Sequence, residues 1–247
     1  MVAATLIIIP TYNERESLPR QLDGVRSAAP DADILVVDDD SPDGTGEWAD
    51  QRSADDSHIF VLHRTSKRGL GAAYLAGFDW GLERDYEIFV EMDADGSHQA
   101  HQLPDVLALA GDFDLVIGSR WVPGGSVVNW PQHRKLLSTG ANTYVGVALG
   151  IGVKDATAGF RAYTADTLRG LELADVESQG YCFQIDMCWR VLKNGGTVRE
   201  VPIEFVEREY GTSKMSGDII REALFKVTKW GVRHRWQQLR RRAHARN

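Results

Sequence analysis

Cysteine is nearly absent from this chain of 247 residues, which carries two. Cys182 and Cys188 form no Cys-x-x-Cys pair and no ligand set, and they lie beside Phe183 and Trp189. That setting predicts a buried face and excludes a disulfide framework or a cysteine metal site. Long hydrophobic runs are missing as well, since no stretch reaches the ~20 apolar residues that cross a bilayer. The amino terminus opens directly into a strand-like segment, Thr5 to Ile9, without a basic region. No secretory signal is therefore expected, and the setting expected is cytoplasmic. Repeats, low-complexity tracts and Ser/Gly-rich linkers are also absent. With 43% hydrophobic residues, the chain has material for one large α/β domain with an appended segment.

Acidic residues outnumber basic ones, giving a net charge of −7, but the imbalance is uneven. From Ile219 onward nine basic residues face one acid, Glu222, so the remainder carries −15. Residues 1–218 are expected to be catalytic and 219–247 to form a basic amphipathic helix and tail. Ile220, Leu224, Val227 and Trp230 fall at helical spacing on one stripe. Such a helix fits either a peripheral seat on an anionic membrane, on its cytoplasmic face, or ordinary docking on the domain with a solvated basic end. Nothing resembles a base-reading module, so no nucleic-acid partner is expected.

The first 120 residues alternate strand and helix. Leu6–Ile9, Ile34–Val37, Ile59–Leu62, Ile88–Met92 and Leu115–Ile117 read as strands, with helices near 17–28, 46–52, 71–82 and 103–110 between them. That rhythm predicts a largely parallel sheet with right-handed crossovers. Further helices are expected near 134–149 and 182–193, and a strand over 198–203.

Two of these strands end in carboxylates. Asp38-Asp39-Asp40 follows the second and leads into Ser41-Pro42-Asp43-Gly44-Thr45, while Asp93-Ala94-Asp95 follows the fourth and leads into Gly96-Ser97. In an extended segment residues i and i+2 share a side, so Asp93 and Asp95 can face one crevice at the carboxyl end of the sheet. A carboxylate pair suits a hard divalent cation, Mg2+ or Mn2+, whose shell is usually completed by substrate phosphates. His98 and His101, near a helix start, are expected to be exposed or capping residues. Gly69 and Gly71 open a helix and offer only a weak phosphate cradle. Asp155 is placed to orient an arginine, and Asp186 lies on a helix facing the site; either can be structural.

The series Ile9-Pro10-Thr11-Tyr12-Asn13-Glu14, Val37-Asp38-Asp39 and Asp93-Ala94-Asp95 resembles the inverting glycosyltransferases of family 2 with the GT-A fold. More narrowly, it is similar to the polyprenol (dolichol) phosphate mannose synthases. Gly118-Ser119-Arg120-Trp121, Thr157-Ala158-Gly159-Phe160-Arg161 and Arg208-Glu209-Tyr210-Gly211-Thr212-Ser213-Lys214 extend the match in the expected order. The resemblance implies an α/β GT-A fold with a C-terminal amphipathic helix. It also implies metal-dependent transfer of mannose from GDP-mannose to a polyprenyl monophosphate, with a membrane-embedded partner protein to clasp the lipid. Pro10, Tyr12, Glu14, Val37 and Asp39 match residues that hold the donor nucleoside. Asp93, Ala94 and Asp95 match the metal–diphosphate site. Ser97 stands where many members carry glutamine, and its hydroxyl can ligate metal or hold a metal-bound water. Arg120, Arg134, Arg208 and Lys214 match cations that grip donor and acceptor phosphates, and Asp93, Asp95 and Arg120 are the catalytic candidates.

Three other readings remain open on the residues. A prenyl-phosphate glucosyltransferase using UDP-glucose differs in a few contacts to the base and sugar hydroxyls that the sequence does not place. Asp93-Ala94-Asp95-Gly96-Ser97 also fits the nucleophile motif of haloacid-dehalogenase-type phosphatases, although there it usually sits on the first strand. A non-catalytic membrane adaptor would depend on the basic tail alone.

Overall fold

Apolar runs that must be buried on both faces make the centre of a parallel sheet, and that is where the chain puts them. The computed structural model describes residues 3–176, 180–208, 224–233 and 235–236. Its first half reads β1 (Thr5–Thr11), α1 (Leu18–Ala28), β2 (Asp33–Asp38), α2 (Thr45–Asp55), β3 (Ile59–His63), α3 (Leu70–Leu82), β4 (Ile88–Glu91), α4 (Leu103–Leu107) and β5 (Leu115–Ser119). The second half adds β6 (Ser126–Val128), α5 (Gln132–Leu149), β7 (Arg161–Thr164), α6 (Ala165–Gly170), α7 (Tyr181–Lys193), β8 (Val198–Pro202) and β9 (Glu204–Val206). Residues 224–233 are helical.

Seven strands form one sheet in the order β3-β2-β1-β4-β7-β5-β8, and β6 pairs with β9 in a small second sheet. Six of the seven run parallel, as expected. The departure is β7, which lies antiparallel between β4 and β5. Its first residue, Arg161, is fully buried and donates to the carbonyls of Ala156, Ala158 and Gln184. A charge inside a four-residue strand hides it from any hydrophobic pattern.

Side-chain alternation divides the core. Ile7, Ile9, Ile34 and Val36 pack with α1 and α4 on one face. Leu6, Ile8, Leu35 and Val37 pack with α3 and α7 on the other. Helix α3 lies so close to the sheet that a Cβ at Gly81 would collide with the Phe89 ring. Gly71 is likewise explained by packing, since its Cβ would meet the Phe183 ring at 2.8 Å.

Strand order then fixes the site. The chain leaves β1 through α1 to β2 on one side, and returns from β3 through α3 to β4 on the other. The carboxyl ends of β1 and β4 therefore bound a topological switch point, where open parallel sheets bind ligands.

The C-terminal helix docks. Val227 is buried among Val145, Leu149, Ala156 and Ile185, and Trp230 stacks on Trp189 with centroids 5.8 Å apart. The docking reading of the stripe thus holds for Val227 and Trp230, while Leu224 stays exposed; Ile220 lies outside the described residues. On another side of this segment Phe225, Val232 and Trp236 are exposed, as are Leu136, Leu137 and Val147 of α5. No helix among the described residues is long and apolar enough to cross a membrane.

Candidate active site

Parallel register sets the ends of β1, β2 and β4 side by side, with Thr11 opposite Asp38 and Ile8 opposite Glu91. The chain beyond each strand therefore opens into one crevice. Asp38 is consumed within it structurally, because its carboxylate accepts from the Thr11 and Ser41 hydroxyls and from the Ser41 N–H. That network ties the first loop to the second and leaves Asp39 as a carboxylate of this cluster that is not committed to it.

Asp93 and Asp95 follow β4 by a tight turn in which Gly96 adopts φ +76°, a conformation that favours glycine. The side chain of Asp95 is 10% exposed and that of Asp93 30%. Burial raises the Asp93 carboxyl above its usual range, the Asp95 charge adds to this, and His98 and Arg208 oppose it. The Ser97 N–H donates to Asp95 Oδ1 at 3.0 Å. Ser97 is buried, with its backbone N–H fixed on Asp95. Ala94 is buried against the core between the two acids.

Among the described residues no group of three or more His, Cys, Asp or Glu is gathered to hold a metal. A pair of hard carboxylates, one raised by desolvation and by its neighbour, still suits a divalent cation whose remaining ligands are phosphate oxygens and water. A closed protein cage for zinc is not what these residues build.

The residues matched to the donor nucleoside lie at the ends of β1 and β2. Pro10 and Tyr12 are partly exposed at the end of β1, and Val37 is buried in β2. Glu14 accepts from the Ser17 hydroxyl at 2.7 Å and fixes the start of α1. Burial raises Asp39, and Arg64, donating to its Oδ1 at 2.6 Å, offsets this. The Lys67 ammonium lies 3.7 Å from the Tyr12 ring centroid. Neither Arg64 nor Lys67 stands out in the sequence; the strand β3 before them is the only signal that their loop would border the crevice.

The expected phosphate-gripping cations divide. Arg208 meets the site, with Nη1 3.4 Å from Asp95 Oδ2. Arg134 donates to both carboxylate oxygens of Glu207 and lies over the Trp130 ring at 3.9 Å. Arg120 is buried and forms a two-pronged pair with Asp155, Nε to Oδ2 at 2.7 Å and Nη2 to Oδ1 at 2.6 Å. Asp155 thus orients an arginine, as its position suggested. Lys214 lies outside the described residues. Asp186 binds Arg190 on its own helix, a structural contact.

The expectation for His98 needs correction. Instead of lying exposed at a helix start it is 2% exposed, stacked on Phe160 and edge-on to Phe205. His101 is exposed, as expected. Also overlooked is Glu91, fully buried one strand position before the turn. Burial lifts its carboxyl to about 7 against the opposing pull of Arg161, and Gln184 Nε2 donates to it at 2.7 Å.

Residues 6–171 match glycosyl transferase family 2. The chain is 59% identical over 237 residues to an undecaprenyl-phosphate mannosyltransferase of Micrococcus luteus, covering 96% of this chain and 98% of that one. It is 58% identical over 238 residues to a polyprenol monophosphomannose synthase of Mycolicibacterium smegmatis, covering 96% and 90%. A dolichol-phosphate mannosyltransferase of Pyrococcus furiosus is 38% identical, and there the match covers 91% of this chain but 63% of the longer relative. In fold, glucosyl-3-phosphoglycerate synthase of Mycobacterium tuberculosis, solved with Mn2+, UDP-glucose and phosphoglyceric acid, superposes with a TM-score of 0.70 at 16% identity, covering 93% of this chain and 80% of that one. That likeness establishes the GT-A-type fold alone.

Proposed function

The chain belongs to glycosyl transferase family 2, and on that premise we propose that it transfers mannose from GDP-mannose to a polyprenyl monophosphate, with inversion, releasing GDP. The observation that carries this reading is its near full-length identity with two relatives named for mannosyl transfer to polyprenyl phosphates. A crevice at the switch point, floored by Asp93 and Asp95, is a matching place for the chemistry.

In this reading Asp93 and Asp95 hold Mg2+ or Mn2+, which when bound offsets the negative charge gathering on the departing diphosphate. The desolvation and mutual repulsion of the two carboxylates favour taking up a cation. Arg208, resting on Asp95, lies where it can exchange that carboxylate for phosphate oxygens, and a planar fork suits them. Lys214 joins it in gripping phosphate. Pro10, Tyr12, Glu14, Val37 and Asp39 surround the nucleoside, and Ala94 lines the diphosphate. The acceptor phosphate is itself an anionic nucleophile near neutral pH, so no strong general base is needed. Arg134 faces the acceptor from α5, and Arg120, oriented by Asp155, is the third catalytic group beside Asp93 and Asp95.

A prenyl acceptor resides in a bilayer, which requires the enzyme to work at its surface. Phe225, Val232 and Trp236 fall at helical spacing beside Lys229, Arg233 and Arg235, and with the exposed apolar side chains of α5 they form the surface suited to a peripheral seat on the cytoplasmic face. A membrane-embedded partner protein would help to hold the lipid.

The test supplies purified protein with a prenyl monophosphate, Mn2+ or Mg2+, and labelled GDP-mannose or UDP-glucose in parallel. Metal-dependent label in the organic phase from GDP-mannose alone, as the β-linked product from an α-linked donor, is the expected result. Label from UDP-glucose alone would overturn the donor assignment, and retention at the anomeric carbon would overturn inversion.

A further inference from the structure

His98 is a buried ring in a polar turn, and its contacts have a direction. Nδ1 accepts the Asp93 backbone N–H at 3.0 Å. An accepting Nδ1 carries a lone pair, so the neutral ring bears its proton on Nε2. That nitrogen faces the Asp93 carboxylate, 3.8 Å from Oδ2. One ring thus fixes both the main chain and the outlook of the first acid.

The ring is itself fixed. It stacks on Phe160 at 5.3 Å and 22°, and meets Phe205 edge-on at 5.5 Å and 76°. Its carbonyl accepts from Gln21 Nε2 at 3.3 Å, and its backbone bridges to Phe205 of β9. Strand β9 leads within a few residues to Arg208, which rests on Asp95. His98 therefore joins α1, the loop before β7 and the strand preceding Arg208 to the acidic turn.

We propose that His98 is a positioning residue, which sets the Asp93-Ala94-Asp95 turn for a divalent cation and a nucleoside diphosphate through the bond from the Asp93 N–H to Nδ1. The inference deepens the transferase reading and rests on it for the ligand. Groups that orient the ligands of a metal site typically change affinity ~10–100-fold when removed, and the effect here should fall in that range.

Two isosteric replacements isolate the acceptor. His98→Asn places an amide oxygen near the position of Nδ1, whereas His98→Leu has the same shape without an acceptor, and both lose the aromatic stack equally. Mn2+ binding in the presence of GDP, followed by electron paramagnetic resonance of the free ion, is the first readout. Hydrogen exchange of the Asp93 amide in metal-free protein is the second. His98→Leu should weaken Mn2+ binding at least ~10-fold and speed Asp93 exchange similarly, with His98→Asn recovering most of both. Equal behaviour of the two variants, or Mn2+ binding by His98→Leu at the parental level, would overturn the proposal. So would a parent protein that takes up no Mn2+ with GDP. A parent that binds Mn2+ and GDP but transfers no mannose would sink the substrate reading alone, because the positioning role is read from binding and exchange.

Discussion

Replacing Asp155 by Asn should unfold the protein more readily than any change among the crevice carboxylates. Asp155 is fully buried and accepts from the Arg120 backbone N–H at 2.9 Å, Nε at 2.7 Å and Nη2 at 2.6 Å, with Asn142 and Thr157 completing its shell. An amide in that place keeps one acceptor and turns an NH2 group toward a donor. Arg120, itself buried, would then lose its counter-charge among the rings of Trp121, Trp130 and Phe205. Breaking a buried pair on one side costs about 3–5 kcal/mol, a large share of the ~5–15 kcal/mol that holds a domain. Urea denaturation of the parent, Asp155→Asn, Arg120→Met and the double variant Arg120→Met/Asp155→Leu measures it. Each single change should lose ~3 kcal/mol or more, and the double should lose less than the sum of the two, because neither change then leaves a lone buried charge, although the Arg120 N–H and Asn142 still lose their acceptor. A loss under ~1 kcal/mol for Asp155→Asn would refute the reasoning that this buried pair holds Arg120 in place.

Other expectations follow from the same contacts. Asp95→Asn should abolish transfer while leaving the metal-free fold at least as stable, because it relieves the repulsion on Asp93; thermal unfolding without metal checks the second half. Arg208→Gln should cost transfer at least ~10-fold but stability under ~1 kcal/mol, its contact with Asp95 being long at 3.4 Å and the change also easing the need to keep a second charge in the crevice. Glu91 binds its proton more tightly folded, at about 7 against 4.5, so its contribution is fully present below pH 4.5 and is lost as pH rises through 7. Over that window the parent should lose up to ~3 kcal/mol that Glu91→Gln does not, measured as urea midpoints against pH without metal. Gly81→Ala should cost about 1–3 kcal/mol, since its methyl would overlap Phe89 and Leu6.

Much of this architecture was legible because burial on both faces writes itself as unbroken apolar runs. Ile34–Val37 and Ile88–Met92 announced β2 and β4, and the acids that end them announced the crevice. Strand β7 was not legible: its buried Arg161 is satisfied by carbonyls of the preceding loop and α7, contacts that no local pattern carries. The three-residue strands β6 and β9 are too short for alternation to register. His98 read as exposed because its polar neighbours say nothing of Phe160 and Phe205, which cover it from distant segments. Family resemblance named Arg120 as a phosphate ligand and the sequence offered Asp155 to orient an arginine, but only the packing revealed that the two are partners. For the C-terminal helix, the stripe could not choose between a membrane and the domain until Trp189 was found against Trp230.

The most direct test of the central claim is the transfer of labelled mannose from GDP-mannose to a prenyl monophosphate by the parent and by Asp95→Asn, each with and without Mn2+. Label in the lipid fraction only from the parent with metal is the expected result. Equal labelling by Asp95→Asn, or labelling by the parent after exhaustive chelation, would contradict a metal-dependent site built on Asp93 and Asp95.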